Sequence, residues 1–286
     1  MPEGDTVLRA AQTLHKFMAG HLVTRFESVY PALTRIADDH PIIGRTIESV
    51  SARGKHLLMT FSGDLVLRTH LRMNGSWHIY PSGARWQRPA RDMRLLVATA
   101  EACAVGFNIP VAELLSGREL ERHAQIQALG PDLLGAAFDR AAALERIRAR
   151  AADPIAEVLL NQRVVAGIGN VFKSEILFLA GIDPFTPVSA LADADLERIV
   201  DISREQLTAN VMSRSQTLSR ATGRRTTKSL DPNEKLWVYS RGGKACRRCG
   251  AIIRSRKTGL DARLTYWCPA CQPSPFRNAG ERLRGR

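Results

Sequence analysis

Between Val7 and Met18 the apolar positions Val7, Leu8, Ala11, Leu14 and Met18 recur at helical spacing, predicting an amphipathic helix that ends near Gly20. The period then changes. Residues 22–30, 45–51, 56–61, 65–70, 76–80 and 93–105 read as strands, separated by turn signals such as Ser62-Gly63-Asp64. Such a series with few helices implies an antiparallel sandwich or barrel. From Asp132 onward the pattern is helical: 138–151 is rich in Ala and Arg, Pro154 opens another helix, and 193–212 is a long amphipathic run. There is no internal repeat. The Ser-, Thr- and Arg-rich stretch 213–230 reads as a mobile connection, and 273–286 as a disordered basic tail. The fold class expected is α+β: an N-terminal helix with an antiparallel β-sandwich over 1–125, a linker at 126–135, a helical domain over 136–230, and a cysteine-bearing hairpin over 236–272.

At 286 residues and 44% hydrophobic, the chain can bury a core large enough for two domains. No apolar run approaches a membrane span, and the first helix carries charge where a signal peptide would be apolar. A cytoplasmic protein is expected, without a membrane partner. The formal charge of +13 is unevenly placed, with 18 Lys/Arg against 4 Asp/Glu from Val211 to Arg286. A solvated tail has no use for the cysteines, aromatics and strand patterns threaded through that quarter, so a polyanion partner is expected.

Four of the five cysteines, Cys246, Cys249, Cys268 and Cys271, read C-x2-C-x18-C-x2-C. This is the spacing of a tetrahedral thiolate zinc site, in a compartment with little use for disulfides. Four thiolates leave no open coordination position, so one structural Zn2+ is expected and no catalytic metal. Cys103 stands alone among small apolar residues and reads as a packing residue. Within the helical half, Gly167 and Gly169 interrupt the pattern just before Asn170. A turn that exposes N–H groups before a helix N-terminus makes a phosphate cradle. Gly-x-Gly alone is a weak signal, and no strand–loop–helix unit surrounds it. Gly242-Gly243-Lys244 reads as a plain hairpin turn.

The opening Met1-Pro2-Glu3-Gly4-Asp5-Thr6 admits two readings. One is an ordinary helix start with Asp5 or Thr6 as N-cap. In the other, Met1 is removed, as a small second residue such as Pro2 favours, and the chain begins with a secondary amine. An α-amino group titrates at about 7.7–8, so part of it is unprotonated near neutrality. A secondary amine that attacks a sugar C1′ gives an iminium ion, an electron sink that needs no further proton. Glu3 would stand beside it to move protons.

Four separated signatures decide between these readings: Pro2-Glu3-Gly4, Arg53-Gly54-Lys55-His56, Ala166-Gly167-Ile168-Gly169-Asn170, and the cysteine hairpin closed by Arg263-Leu264-Thr265-Tyr266-Trp267-Cys268-Pro269. Together they resemble the formamidopyrimidine-DNA glycosylase and endonuclease VIII family of base-excision repair enzymes, from Pro2 to Gln272. The resemblance implies a helix–two-turn–helix motif in the helical domain, damaged DNA as partner, no small-molecule cofactor, a monomer, and association with the nucleoid through DNA. It also implies Pro2 as nucleophile, Glu3 as acid/base, Lys55 as a phosphate contact assisting base loss, and Asn170 and Arg263 as phosphate clamps, with Gly167 and Gly169 in the DNA-binding turn. Lys55 could otherwise be a strand-end surface lysine, and Arg263 one more solvated cation. On the loop after a strand, Met73 is the best wedge for the hole left by a flipped nucleotide, with a core methionine as the alternative.

In one respect the chain departs from the purine branch. Residues 105–110 lack the arginine that this branch uses beside a phenylalanine, and Gly4-Asp5-Thr6 replaces its usual opening. Both favour the endonuclease VIII side and oxidised pyrimidines. The expected activity is that of a glycosylase/lyase cutting by β,δ-elimination. The alternatives are a purine-branch enzyme acting on 8-oxoguanine or formamidopyrimidine, and a catalytically silent zinc-ribbon DNA-binding protein.

Overall fold

The structure, a computed structural model, describes residues 2–212, 224–231, 233–259 and 262–276. Helix α1 (Gly4–Met18) buries Val7, Ala10, Ala11, Leu14 and Met18, while Leu8 is only half-buried. Two four-stranded antiparallel sheets follow. One runs in the order β1 (Arg25–Ser28), β6 (Met93–Ala98), β7 (Ala102–Phe107), β5 (Ser76–Pro81). The other orders β2 (Ile47–Arg53), β3 (His56–Phe61), β4 (Leu65–His70) and β8 (Val111–Ser116). Leu57, Met59, Phe61 and Leu67 from the second sheet join Trp77, Leu95, Val97 and Ala104 from the first in one core, which the apolar face of α1 closes. Trp77 Nε1 donates to Thr69 Oγ1 at 3.1 Å, satisfying the indole between the sheets.

The sandwich departs from the sequence pattern in three places. The run 93–105 is two strands, because the Thr99 hydroxyl accepts from the backbone N–H groups of Glu101 and Ala102 and turns the chain without Gly or Pro. The expected strand 22–30 shortens to β1, and Pro31 then opens α2 (Pro31–Asp39) from its tolerated first position. After a turn over 108–110, β8 completes the second sheet, followed by α3 (Gly117–Arg122) with a Ser116–Glu119 capping box and α4 (Ala124–Gln127).

The second half contains α5 (Arg140–Arg148), α6 (Ile155–Leu160), α7 (Asn170–Ala180) and α8 (Asp193–Met212). Their core gathers Leu144, Ile147, Leu159, Phe172, Ile176 and Leu207. Gly181, at φ +72°, ends α7 in the left-handed conformation that only glycine adopts cheaply. The hairpin of β9 (Arg254–Thr258) and β10 (Arg263–Trp267) lies against α7, with Arg263 opposite Thr258. Its strand β10 is tied to α7 through Asn170, Lys173 and Ser174. The segment preceding the hairpin is held by Glu175, a fully buried α7 carboxylate that accepts from the N–H groups of Trp237, Val238 and Tyr239, each at 2.8 Å, and from the Thr226 hydroxyl.

Within the stretch expected to be a mobile connection, residues 224–227 are hydrogen-bonded to other parts of the chain. Arg225 N donates to Asn210 Oδ1 and Thr226 N to the Lys235 carbonyl, both at 2.8 Å. These partners are remote in sequence, which is why local composition read as loose. Residues 213–223, and the part of the expected tail from 277 on, lie outside the described residues.

Candidate active site

The site forms where the chain start, the β2–β3 turn and the N-terminus of α7 converge. Glu3 occupies the N-cap position of α1, in place of Asp5 or Thr6, yet its side chain makes no hydrogen bond to its own helix. It caps α7 instead. Its carboxylate accepts from the N–H groups of Gly169 (2.9 Å), Val171 (2.8 Å) and Phe172 (3.3 Å). The positive end of a helix favours such an anion. The turn read as a phosphate cradle therefore already holds a carboxylate, and the Gly169 N–H is committed to Glu3. The absence of side chains permits this contact: a Cβ on Gly169 would lie 2.4 Å from Glu3 Cδ, and one on Gly4 would lie 2.9 Å from Gly167 Cα. Gly167, at φ +110°, accepts at its carbonyl from Gly4 N at 2.9 Å.

Asp5, fully buried, completes the anchoring. The Arg224 guanidinium donates to both its oxygens, through Nε at 3.0 Å and Nη2 at 2.8 Å, and to the Thr6 hydroxyl at 2.9 Å. It stands 3.9 Å from a Glu3 oxygen and stacks over the Phe172 ring. Residues 3, 4 and 5 are thus each tied to remote chain, and half-buried Pro2 is carried at the end of that fixed segment.

Lys55 arrives on the second sheet. Gly54 and Lys55 form a two-residue hairpin turn between Arg53 and His56, with Gly54 at φ +58° in the first position, as type II′ requires. Gly54 N–H donates to Asp132 Oδ2 at 2.7 Å, and Lys55 Nζ donates to the Ile168 carbonyl. Lys55 is therefore turned inward against the residue before Gly169 and is not a strand-end surface cation. Burial pushes its pKa down to about 8, against the pull of Glu3 and with the help of Arg263 and Arg224. Beside it opens a cavity of about 280 Å³ lined by Lys55, His56, His70, Arg72, Gln162 and Arg163 among others. The two histidines are held neutral: burial first, then neighbouring positive groups, brings His56 to about 3 and His70 to about 4.

Asn170, the first residue of α7, donates through Nδ2 to the Leu264 carbonyl at 2.9 Å and so lies against the strand that begins with Arg263. Arg263 is close enough to lower the pKa of both Lys55 and Lys173. Met73 is set apart from this group. It is 59% exposed on the turn after β4, which rules out the core alternative. The stretch 105–110 is no long loop: 105–107 belong to β7 and only 108–110 connect it to β8.

The four cysteine sulfurs lie within 4.8 Å of one another, with Cys246–Cys271 at 3.9 Å and Cys249–Cys268 at 3.5 Å. A tetrahedral thiolate site with metal–sulfur bonds of about 2.3 Å needs sulfurs about 3.8 Å apart, so the residues fit such a centre. Among the described residues this is the one cluster of its kind.

Comparison with known proteins agrees with this geometry. Family models match residues 1–110 (formamidopyrimidine-DNA glycosylase N-terminal domain), 129–222 (formamidopyrimidine-DNA glycosylase H2TH domain) and 243–273 (zinc finger found in FPG and IleRS). A probable endonuclease 8 2 of Streptomyces coelicolor is 40% identical over 99% of this chain and 98% of its own length. The chain belongs to the formamidopyrimidine-DNA glycosylase and endonuclease VIII family. A DNA-(apurinic or apyrimidinic site) lyase Nei2 of Mycolicibacterium smegmatis is 36% identical over 95% of this chain and 99% of its own length. Among solved structures, a complex of Lactococcus lactis Fpg with DNA containing an abasic site is similar at a TM-score of 0.80 and 26% identity, covering 96% of this chain and all of the other. No helix among the described residues is long and apolar enough to cross a membrane.

With the family in view, the residues that sequence reasoning missed are clear. Asp132, Lys173 and Arg224 hold the named groups in place but carry no motif of their own, and Asp5, an N-cap candidate from sequence, is instead the partner of Arg224. Arg224 sits in a stretch whose composition says only that it is polar. A second arginine beside it, Arg225, sends its guanidinium instead to the carbonyls of Ser229 and Asp231, so sequence could not have told the two apart.

Proposed function

We propose that this chain is a DNA glycosylase with abasic-site lyase activity that removes oxidised pyrimidines through an N-terminal proline Schiff base. The observation that carries the reading is the capture of the Glu3 carboxylate by the N-terminus of α7, which fixes the residue next to the amine against the turn that also receives Lys55. With Met1 removed, the Glu3 carboxylate takes one proton from the Pro2 ammonium; the freed lone pair attacks C1′ and the C1′–base bond breaks, the base leaving with the second proton of the Pro2 nitrogen. Glu3 delivers a proton to the ring oxygen O4′ as the C1′–O4′ bond opens, leaving a positively charged iminium. That electron sink acidifies C2′–H; its loss expels the 3′ phosphate. A second elimination along the conjugated chain expels the 5′ phosphate, and water then frees Pro2.

Asn170 and Arg263 take flanking phosphates and Lys55 a phosphate near the reacting sugar. Exposed Met73 fills the space left by the flipped nucleotide. Gly167 and Gly169 serve DNA indirectly, by letting α7 approach Glu3. The cysteine site holds one structural zinc through Cys246, Cys249, Cys268 and Cys271, keeping β10 and Arg263 in place. The enzyme works as a monomer on chromosomal DNA in the cytoplasm. The pyrimidine preference is supported by the relatives named endonuclease 8 and by the short 108–110 connection, which has no room for the void-filling loop of the purine branch.

Strand cleavage of duplexes carrying 5-hydroxyuracil, thymine glycol or 8-oxoguanine tests the reading. Fastest cutting at an oxidised pyrimidine, with phosphates on both ends of the gap, is expected. Preference for 8-oxoguanine would move the enzyme to the purine branch, and tight binding to abasic DNA without scission would leave only a DNA-binding protein.

A further inference from the structure

Lys173, one turn into α7, is a cation with no surface exposure. Its ammonium donates to Asn170 Oδ1 at 2.7 Å and to Thr265 Oγ1 at 2.6 Å, both neutral oxygens. Burying an ammonium on neutral partners is costly. Burial, followed by the charge of Arg263, pushes its pKa down to about 8. A plain tie between helix and strand needs no charge; hydroxyls or an amide would join them. An ammonium adds something else. It has donors only, so the Asn170 atom facing it must be the oxygen. The amide nitrogen is then committed to the opposite side, where it donates to the Leu264 carbonyl at 2.9 Å, next to Arg263. The positive charge on Oδ1 also strengthens the N–H groups as donors.

We propose that Lys173 is a positioning residue that locks the Asn170 amide with its nitrogen on the Arg263 side and ties both to β10, so that an arriving phosphate meets a preset pair of donors. This rests on the reading of Asn170 and Arg263 as DNA contacts. The two sides of the lock are independent in sequence. Asn170 lies three residues before Lys173 on the helix, while Thr265 reaches it from the hairpin and shares a 2.8 Å hydroxyl contact with Thr258. Lys173 thus reports the docking of the hairpin to the amide. Being buried, it takes no phosphate itself.

The test is a double-mutant cycle, reading binding to a duplex that carries a reduced abasic site. Asn170→Ala and Lys173→Met are each expected to weaken binding about tenfold, and Lys173→Met to add less than about twofold once Asn170 is already Ala. In turnover the loss falls on KM rather than on kcat. The slope of log Kd against log salt should stay as in the parent for Lys173→Met, whereas a direct phosphate contact would lower it by about 0.9. Fully additive penalties, or a lowered salt slope, overturn the proposal. If Asn170→Ala binds like the parent, the underlying reading of Asn170 fails as well, and the cycle separates the two failures. Should Lys173→Met lose its metal or its fold, Thr265→Val removes the other acceptor at constant shape. It is expected to weaken binding about threefold in the parent and not in the Asn170→Ala background. No effect in either background overturns the proposal.

Discussion

Helix α7 engages two buried glutamates, and their hydrogen bonding is nearly the same. Glu3 reaches in from the chain start and accepts three N–H groups from residues 169–172; Glu175 reaches out from the helix and accepts three from residues 237–239. Each joins segments remote in sequence. What differs is the company. Glu3 has the Pro2 nitrogen as its neighbour in the chain, Arg224 at 3.9 Å and the Lys55 turn on the next carbonyl. The fourth partner of Glu175 is a threonine hydroxyl. A carboxylate held by backbone donors is a staple. In the proposed reading, Glu3 becomes more than that because the Pro2 amine, which can supply a lone pair and a proton, stands beside it.

Glu3→Gln and Glu175→Gln probe that difference most sharply. Glu3→Gln keeps an acceptor for α7 but can neither take the proton that frees the Pro2 lone pair nor deliver it to O4′, so single-turnover base excision should fall by about 10²–10⁴. Glu175→Gln should leave that step near parental. Its loss is of stability, about 3 kcal/mol as charge-assisted hydrogen bonds become neutral ones, read as a lower Tm. Equal losses of excision in the two variants would erase the distinction.

Removing a metal held by the four cysteines acts first on the hairpin. Chelation should weaken binding to abasic DNA about a hundredfold, through the hairpin that carries Arg263, while leaving the sandwich folded. Unchanged binding at zero zinc by metal analysis would contradict the hairpin's role. Gly169→Ala attacks the Glu3 side alone. With a Cβ placed 2.4 Å from Glu3 Cδ, the carboxylate must move, and excision should drop roughly thirtyfold with metal content intact. Parental excision rates would mean that the position of Glu3 is not critical.

Near neutrality the smallest effect expected is that of pH. Lys55 and Lys173 both have pKa values lowered to about 8, mainly by burial. A phosphate favours their ammonium forms and so raises both values in the complex. Affinity is therefore full below about 8 and declines as pH rises beyond it, by about tenfold for each proton taken up per pH unit. Binding isotherms between pH 6.5 and 9.5 should show this decline, and Lys55→Met should flatten it. A decline that is unaltered in Lys55→Met would assign it to other groups.

Much of this was legible in the sequence because it is carried by local patterns. The strands at 56–61 and 65–70 and the helix at 193–212 appear where alternation and helical period place them. The C-x2-C pairs fold into one cluster. The turn at Thr99 escaped because a hydroxyl does there what glycine usually does. The Gly167–Asn170 turn reads locally as a phosphate cradle, but a carboxylate occupies the N–H groups of Gly169 and Val171. Its anion is Glu3, 166 residues away from Gly169, and no local pattern can announce that. Arg224 stayed hidden for the same reason, since its partner Asp5 lies 219 residues back.

Reaction at the Pro2 nitrogen is the central claim, and Lys55, a nearby amine with a lowered pKa, is its natural competitor. Borohydride reduction on abasic-site DNA, followed by mass spectrometry of the crosslinked peptide, tests this most directly. The adduct is expected on Pro2 in chains lacking Met1. An adduct on Lys55, or undiminished crosslinking with Met1 verified in place, would contradict it.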